Sequence, residues 1–207
     1  MITADDALSR LNTGNQRFVT GKTQNHLQSL DERKFPGEPV QAQQPLAIIL
    51  SCSDARVPPE IIFDQQIGDL FIIRVAGNIV TPSILGSVEF SVVKHECKLI
   101  VVLGHTHCGA VEATVQALKQ PSDSMSENLQ SIISRIQPVV AEAQKINENS
   151  SESELINRAI RANIMASVAQ LKEKSQILND RHEHHDLQII GAKYALETGC
   201  VEFFNTE

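Results

Sequence analysis

"LAIILSCSDAR", residues 46–56, sets the fold and opens the functional question. Five apolar residues in a row, Leu46 to Leu50, show no polar alternation. Such a run describes a strand buried on both faces, the kind found in parallel sheets with helices on either side. It then stops at Cys52, Asp54 and Arg56, with a side chain capable of chemistry at every second position. In extended chain, alternate residues point the same way. A thiol, a carboxylate and a guanidinium therefore converge where the strand leaves the core.

Two further runs share this character, 70–75 (LFIIRV) and 99–103 (LIVVL). Between them Thr81-Pro82 opens a helix, a cap followed by proline at the first helical position. Its inner face carries Leu85, Val88 and Val92. Helical periodicity follows over 109–119, 126–147 and 152–178, the last with Leu155, Ile164, Val168 and Leu171. A fourth strand at 187–191 runs on through Tyr194-Ala195-Leu196 and turns at Thr198-Gly199 into a last strand, Val201 to Phe204. Before all of these, a helix from Thr3 to about Thr20 carries Leu8, Leu11 and Phe18 on one face. Residues 21–44 are polar and broken by Pro36, Gly37 and Pro39, an irregular connection with room for a short helix. Apolar strands alternating with helices predict an α/β fold, a mostly parallel central sheet covered by helices. No repeat or low-complexity linker divides the chain, so residues 1–207 read as a single domain: an N-terminal helical arm at 1–45 and a core at 46–207.

With 207 residues, 42% of them hydrophobic, the chain can bury a full core. The net charge of −7 and the lack of clustered Lys and Arg argue against nucleic acid as a partner. No apolar run reaches the roughly 18–20 residues that span a bilayer. The first residues lack the charged-then-apolar layout of a secretory signal, which predicts a cytoplasmic protein with reduced thiols. Of the four cysteines, Cys97 and Cys200 read as small apolar core fillers.

The other two belong to a pattern. The third strand ends in "LGHTHCGAV", residues 103–111, where His105 and Cys108 form an H-x-x-C pair able to reach one ion across a tight turn. Open α/β sheets bind ligands where the C-terminal ends of neighbouring strands diverge. If the first and third strands are neighbours, Cys52 joins this pair. Two thiolates and an imidazole suit Zn²⁺, and three protein ligands are the catalytic rather than the structural count. His182, His184 and His185 in "RHEHHD" read as a solvated loop. Arg74 and Asp69 read as charges at a pocket edge or interface, and Gly77-Asn78 as a sharp turn.

C-S-D-A-R at 52–56, R-V-A-G-N at 74–78 and G-H-T-H-C-G at 104–109 together resemble the β-class carbonic anhydrases. "GNQRF" at 14–18 and "GAKYALETGCV" at 191–201 extend the likeness over nearly the whole chain. The resemblance implies a sheet of order 2-1-3-4 with an extra C-terminal strand. It implies one Zn²⁺ per chain on Cys52, His105 (rather than His107) and Cys108. Asp54 and Arg56 would be the catalytic pair, with Asp54 as fourth ligand in a closed state. Gln43, Phe71, Ala76 and Phe90 would line the substrate pocket. The implied assembly is a homodimer or a multiple of one, with Gln43 and Phe71 supplied by the other subunit and the first helix embracing the partner. The implied reaction is the reversible hydration of CO2 to bicarbonate and a proton. Two rivals are a COS or CS2 hydrolase on the same fold and a non-catalytic zinc- or bicarbonate-binding protein. Loss of Asp54 or Arg56 would favour the second, and both are present.

Overall fold

The computed structural model of the chain describes residues 2–24, 43–120, 125–146 and 151–204. Five strands form one sheet: β1 (Ala47–Ser51), β2 (Leu70–Arg74), β3 (Leu99–His105), β4 (Gln188–Tyr194) and β5 (Val201–Phe204). Their spatial order is β2-β1-β3-β4-β5. The first four are parallel and β5 pairs antiparallel with β4. The unbroken apolar runs lie at the centre, since every residue of β1 and β3 is buried. That places the end of β1 beside the end of β3, with Ser51 in register with Leu103.

Strand alternation separates two cores. Ile48, Leu50, Ile100 and Val102 face one side. There they meet α3 (Pro82–His95), α4 (Gly109–Lys119), α5 (Glu127–Ile146), α6 (Glu152–Glu173) and α7 (Gln176–Glu183). Ile49, Val101 and Leu103 face the other side, against α1 (Ala4–Val19) and the short α2 (Pro59–Ile62).

The first helix is stitched to its own chain. Thr3 caps it, its hydroxyl accepting the Asp6 N–H at 3.1 Å, and Ala7 and Leu11 are fully buried on the sheet. Gly14 is required because a Cβ there would lie 1.8 Å from the Phe63 carbonyl oxygen. Next to it, buried Asn15 donates to the carbonyls of Ile62 (3.2 Å) and Gly199 (2.9 Å) and accepts the Val201 N–H at 2.9 Å. Leu8 and Phe18, on the same face as Leu11, are half-buried against this core.

Several boundaries depart from expectation. The helix expected over 152–178 breaks at Lys174-Ser175, because the Ser175 hydroxyl accepts the Leu178 N–H at 3.2 Å and caps a new helix. Arg181 to Glu183 then form the last turn of α7, where His182 Nδ1 lies 3.1 Å from the Leu187 carbonyl, while His184 and His185 are exposed in the turn that follows, as expected. β3 runs two residues further than its apolar run, through His105, and β4 begins one residue later and ends at Tyr194. Cys97 is buried as expected, but Cys200 is exposed. It follows Gly199, which turns the chain at a φ of +76° before β5. Most of the 21–44 connection, residues 25–42, lies outside the described residues. Among the described residues no helix is long and apolar enough to cross a membrane.

Candidate metal centre

Three elements deliver three donor atoms to the edge where the parallel strands end. Cys52 follows β1, His105 closes β3, and Cys108 sits at the N-cap of α4. They are 5%, 0% and 2% exposed. One donor atom from each lies within 4.8 Å of the others. Because β1 and β3 are hydrogen-bonded neighbours, residues far apart in sequence meet without any long loop.

The two histidines of the turn are sorted by their contacts. His105 Nδ1 lies 2.8 Å from the Thr106 carbonyl oxygen. A carbonyl only accepts, so Nδ1 carries the proton and Nε2 presents a lone pair. That Nε2 is buried and has no hydrogen-bond partner among the described residues. A buried nitrogen left so is costly unless something is meant to bind it. His107 faces outward instead: its φ is +54°, and its Nε2 lies 2.9 Å from Glu197 Oε1 and its Nδ1 3.7 Å from Glu112 Oε1.

The two thiols polarise one another. Hydrogen bonding from Cys108 lowers the Cys52 thiol well below its ordinary value, against the desolvation that opposes it. The same bond, with burial, pushes Cys108 well above its ordinary value. Burial works against charge on His105, but the negative Cys52 sulfur and Asp54 carboxylate outweigh it and raise the ring. A further donor comes from Gly77, whose N–H approaches Cys52 Sγ at 3.4 Å. Gly77 has a φ of +70°, and a Cβ there would lie 2.7 Å from Ile136 Cδ1. Asn163 donates to the Gly77 carbonyl at 2.8 Å and Ser167 to the Asn78 carbonyl at 3.0 Å. The Gly77-Asn78 turn read from sequence therefore also serves the Cys52 sulfur.

Asp54 and Arg56 form a bidentate pair beside the cluster. Arg56 Nε donates to Oδ1 at 2.9 Å and Nη2 to Oδ2 at 2.8 Å, while the Arg56 backbone N–H also reaches Oδ1 at 2.9 Å. The guanidinium holds the Asp54 carboxyl well below the usual carboxylate range. Asp54 Oδ2 lies 3.9 Å from His105 Nε2. The carboxylate is thus turned to Arg56, not drawn in as a fourth member of the cluster. Arg74, expected at a pocket edge, braces this segment: its Nε donates to the Cys52 carbonyl at 3.0 Å and its Nη2 to the Asp54 carbonyl at 2.5 Å. Asp69 is paired with Arg10 at 2.6 Å.

The expected pocket residues are divided. Ala76 adjoins Gly77 in the turn after β2, at the edge that carries Cys52. Phe71 lies early in β2, level with Ile48, its ring 6.4 Å from that of Phe90. Gln43 and Phe90 line a cleft of about 960 Å³ with Pro45, His95 and Lys98, residues that precede the strands or flank their starts. They belong to the opposite edge of the sheet from Cys52. The sequence reading missed the Gly77 donor, the Arg74 brace and the contacts of Glu197, none of which has a local signature.

A profile of the family described as "Carbonic anhydrase" matches residues 47–201. A carbonic anhydrase of Mycolicibacterium smegmatis is 35% identical over 199 residues, 95% of this chain and 91% of that protein. Carbonic anhydrase 2 of Mycobacterium tuberculosis is 35% identical over 193 residues, 93% of this chain and 89% of that protein. Among solved structures, the β-carbonic anhydrase CcaA superposes with a TM-score of 0.73 at 26% identity, covering 96% of this chain and 95% of that one. A tetrameric β-carbonic anhydrase of Sordaria macrospora, at 22% identity and a TM-score of 0.70, covers 80% of this chain and 83% of that one and shares the fold.

Proposed function

The chain belongs to the carbonic anhydrase family, in its β class, and is an enzyme of reversible CO2 hydration; from that premise we propose that Cys52, His105 and Cys108 hold one Zn²⁺ and that Asp54 and Arg56 are the catalytic pair. The residues fit the ion. Two sulfurs and an imidazole nitrogen are its preferred donors, they lie within 4.8 Å of one another, and Nε2 is otherwise unpartnered.

Zinc, when bound, supplies a Lewis-acid position that ionises water near neutral pH. The chain's own residues do the rest. Asp54, kept anionic by Arg56, accepts a hydrogen bond from the attacking water and so aims its free lone pair at the carbon of CO2. Arg56 also restrains the carboxylate from taking the open position, so the arrangement with Asp54 on Arg56 is the working one. The Gly77 N–H disperses charge on the Cys52 sulfur. Ala76 contributes apolar surface suited to CO2. Gln43, Phe71 and Phe90 complete the pocket from a second copy, because within one chain Gln43 and Phe90 lie at the other sheet edge. The working form is then a homodimer or a multiple of one. Its thiolate ligands need a reducing compartment, and we place the enzyme in the cytoplasm.

The observation that carries the residue assignment is the buried, unpartnered Nε2 of His105 3.9 Å from a carboxylate that Arg56 grips with two hydrogen bonds. Stopped-flow CO2 hydration, run beside metal analysis and a CS2 turnover assay, tests it. The expected result is one zinc per chain and CO2 turnover far above that of CS2. A preparation active without zinc would overturn the ligand assignment.

A further inference from the structure

Two residues, Thr106 and His107, separate the ligands His105 and Cys108, and both are held from the far end of the chain. The Thr106 N–H donates to the Tyr194 carbonyl at 2.9 Å. The Thr106 hydroxyl accepts the Leu196 N–H at 3.0 Å and donates its one proton to Glu197 Oε2 at 2.9 Å. The other oxygen of Glu197 lies 2.9 Å from His107 Nε2. One carboxylate thus spans both residues of the turn. The Thr106 carbonyl, in turn, is what takes the Nδ1 proton of the buried His105 ring at 2.8 Å.

We propose that Glu197, on the turn between β4 and β5, is a positioning residue for zinc binding, acting through Thr106 to fix the ring of His105. This rests on the reading of His105 as a zinc ligand. A ligating imidazole needs a partner on its far nitrogen to set the tautomer and the ring's rotation, and losing such a partner costs about 10–100-fold in metal affinity. Here the partner is a backbone carbonyl, whose peptide rotates unless it is anchored. Glu197 and the Leu196 N–H anchor it from two sides of one hydroxyl. The left-handed conformation of His107 makes the brace more necessary, since such a backbone is unfavourable for a residue with a Cβ.

The test uses zinc-loaded full-length protein and two readouts, the rate of zinc release to a chelator and the visible spectrum of the cobalt-substituted form. Glu197 is half exposed, so Glu197→Ala leaves no cavity. It should release zinc about 10-fold faster and shift the cobalt bands. Glu197→Gln keeps an acceptor for Thr106 and should restore most of the native rate. Thr106→Val should match Glu197→Ala, and the double variant should add nothing, as expected for one pathway. Glu112→Gln, which alters the other carboxylate beside His107 and leaves Thr106 braced, should release zinc at the native rate. The proposal is overturned if Glu197→Ala stays within about twofold of native release, or if the two single effects add. Failure of the native protein to take up zinc at all, or full zinc retention by Cys108→Ser, would instead overturn the ligand reading.

Discussion

At the edge where β1 and β3 end, Cys52, His105 and Cys108 are at most 5% exposed. At the edge where the same strands begin, Phe90 is 54% and Val93 55% exposed beside an open cleft. The first edge is closed by its own chain. Hydrogen bonds from Gly77, Arg74 and Arg56 meet there, and the turn that carries two ligands is tied to β4 and the residues after it. The second edge leaves Phe90 and Val93 facing solvent, the kind of patch that marks an interface. The contrast explains why the three donor residues meet within one chain while the expected pocket residues do not. At about 3.3 Å per residue a strand cannot return on itself, so Gln43, nine residues before Cys52, stays at the other end. A symmetric pairing of copies is the simple way to bring one edge against the other.

The largest effect should come from breaking the closed edge. Cys108→Ser exchanges a thiolate for a weaker donor. Metal content and turnover should fall together, turnover by on the order of 10³-fold or more. Normal turnover at full zinc would detach the cluster from the chemistry.

Next is the division between the edges. If Gln43 offers its amide to the substrate oxygen, as proposed, Gln43→Ala should cost about 10²–10³-fold, the usual loss for such a donor. If Gln43 serves the partner's metal site, mixing this variant with Cys108→Ser, with subunit exchange, gives mixed dimers in which one site carries both defects and the other none. Activity should then return to about a quarter of native at statistical mixing. A mixture no better than its components would place the pocket within one chain.

A smaller effect is expected at the Asp54–Arg56 pair. Hydrogen bonds to charged groups are worth ~1.5–3 kcal/mol, so Arg56→Ala should lower kcat/KM by about 10–100-fold while zinc content holds. Equal losses of both would show that Arg56 only supports the ligand cluster.

The smallest effect lies at the open edge, where Lys98 and Asp186 form an exposed ion pair at 2.7 Å. The Lys98 hydrogen bond depresses the Asp186 pKa. A depressed carboxyl adds stability above its unfolded value of about 3.9, and that stability is lost as the pH falls through the lower folded value. Lys98→Met should therefore cost at most ~1 kcal/mol at pH 7, and nothing once both states are protonated. Thermal unfolding across that range reads the difference. A gap that persists in strong acid would assign the loss to packing.

Much of this was legible because the relevant patterns are local. A short, apolar, β-branched run without alternation, as at Leu46 to Leu50, reads as a strand covered on both faces. Two such runs ending in Cys52 and in H-x-x-C meet as soon as their strands are neighbours. Misreadings fell where one side-chain contact outweighs periodicity. Ser175 ends a helix whose apolar spacing would carry on, because its hydroxyl captures a free N–H. Cys200 lies in a turn whose exposure its own residue type does not reveal.

By itself the sequence determined the parallel sheet, the edge that carries the site and the three donor atoms, since these follow from side-chain alternation and from where the apolar runs stop. Tertiary structure alone decided which nitrogen of the inward histidine, His105, carries the proton. It decided that Asp54 faces Arg56, that the Gly77 N–H meets the Cys52 sulfur, and that Gln43 is kept from the Cys52 edge of its own chain. Glu197 reaches Thr106 across 91 positions of sequence. Nothing in the residues around either one encodes such a bond: its energy depends on a distance and an angle that exist only once the sheet has brought the two turns together.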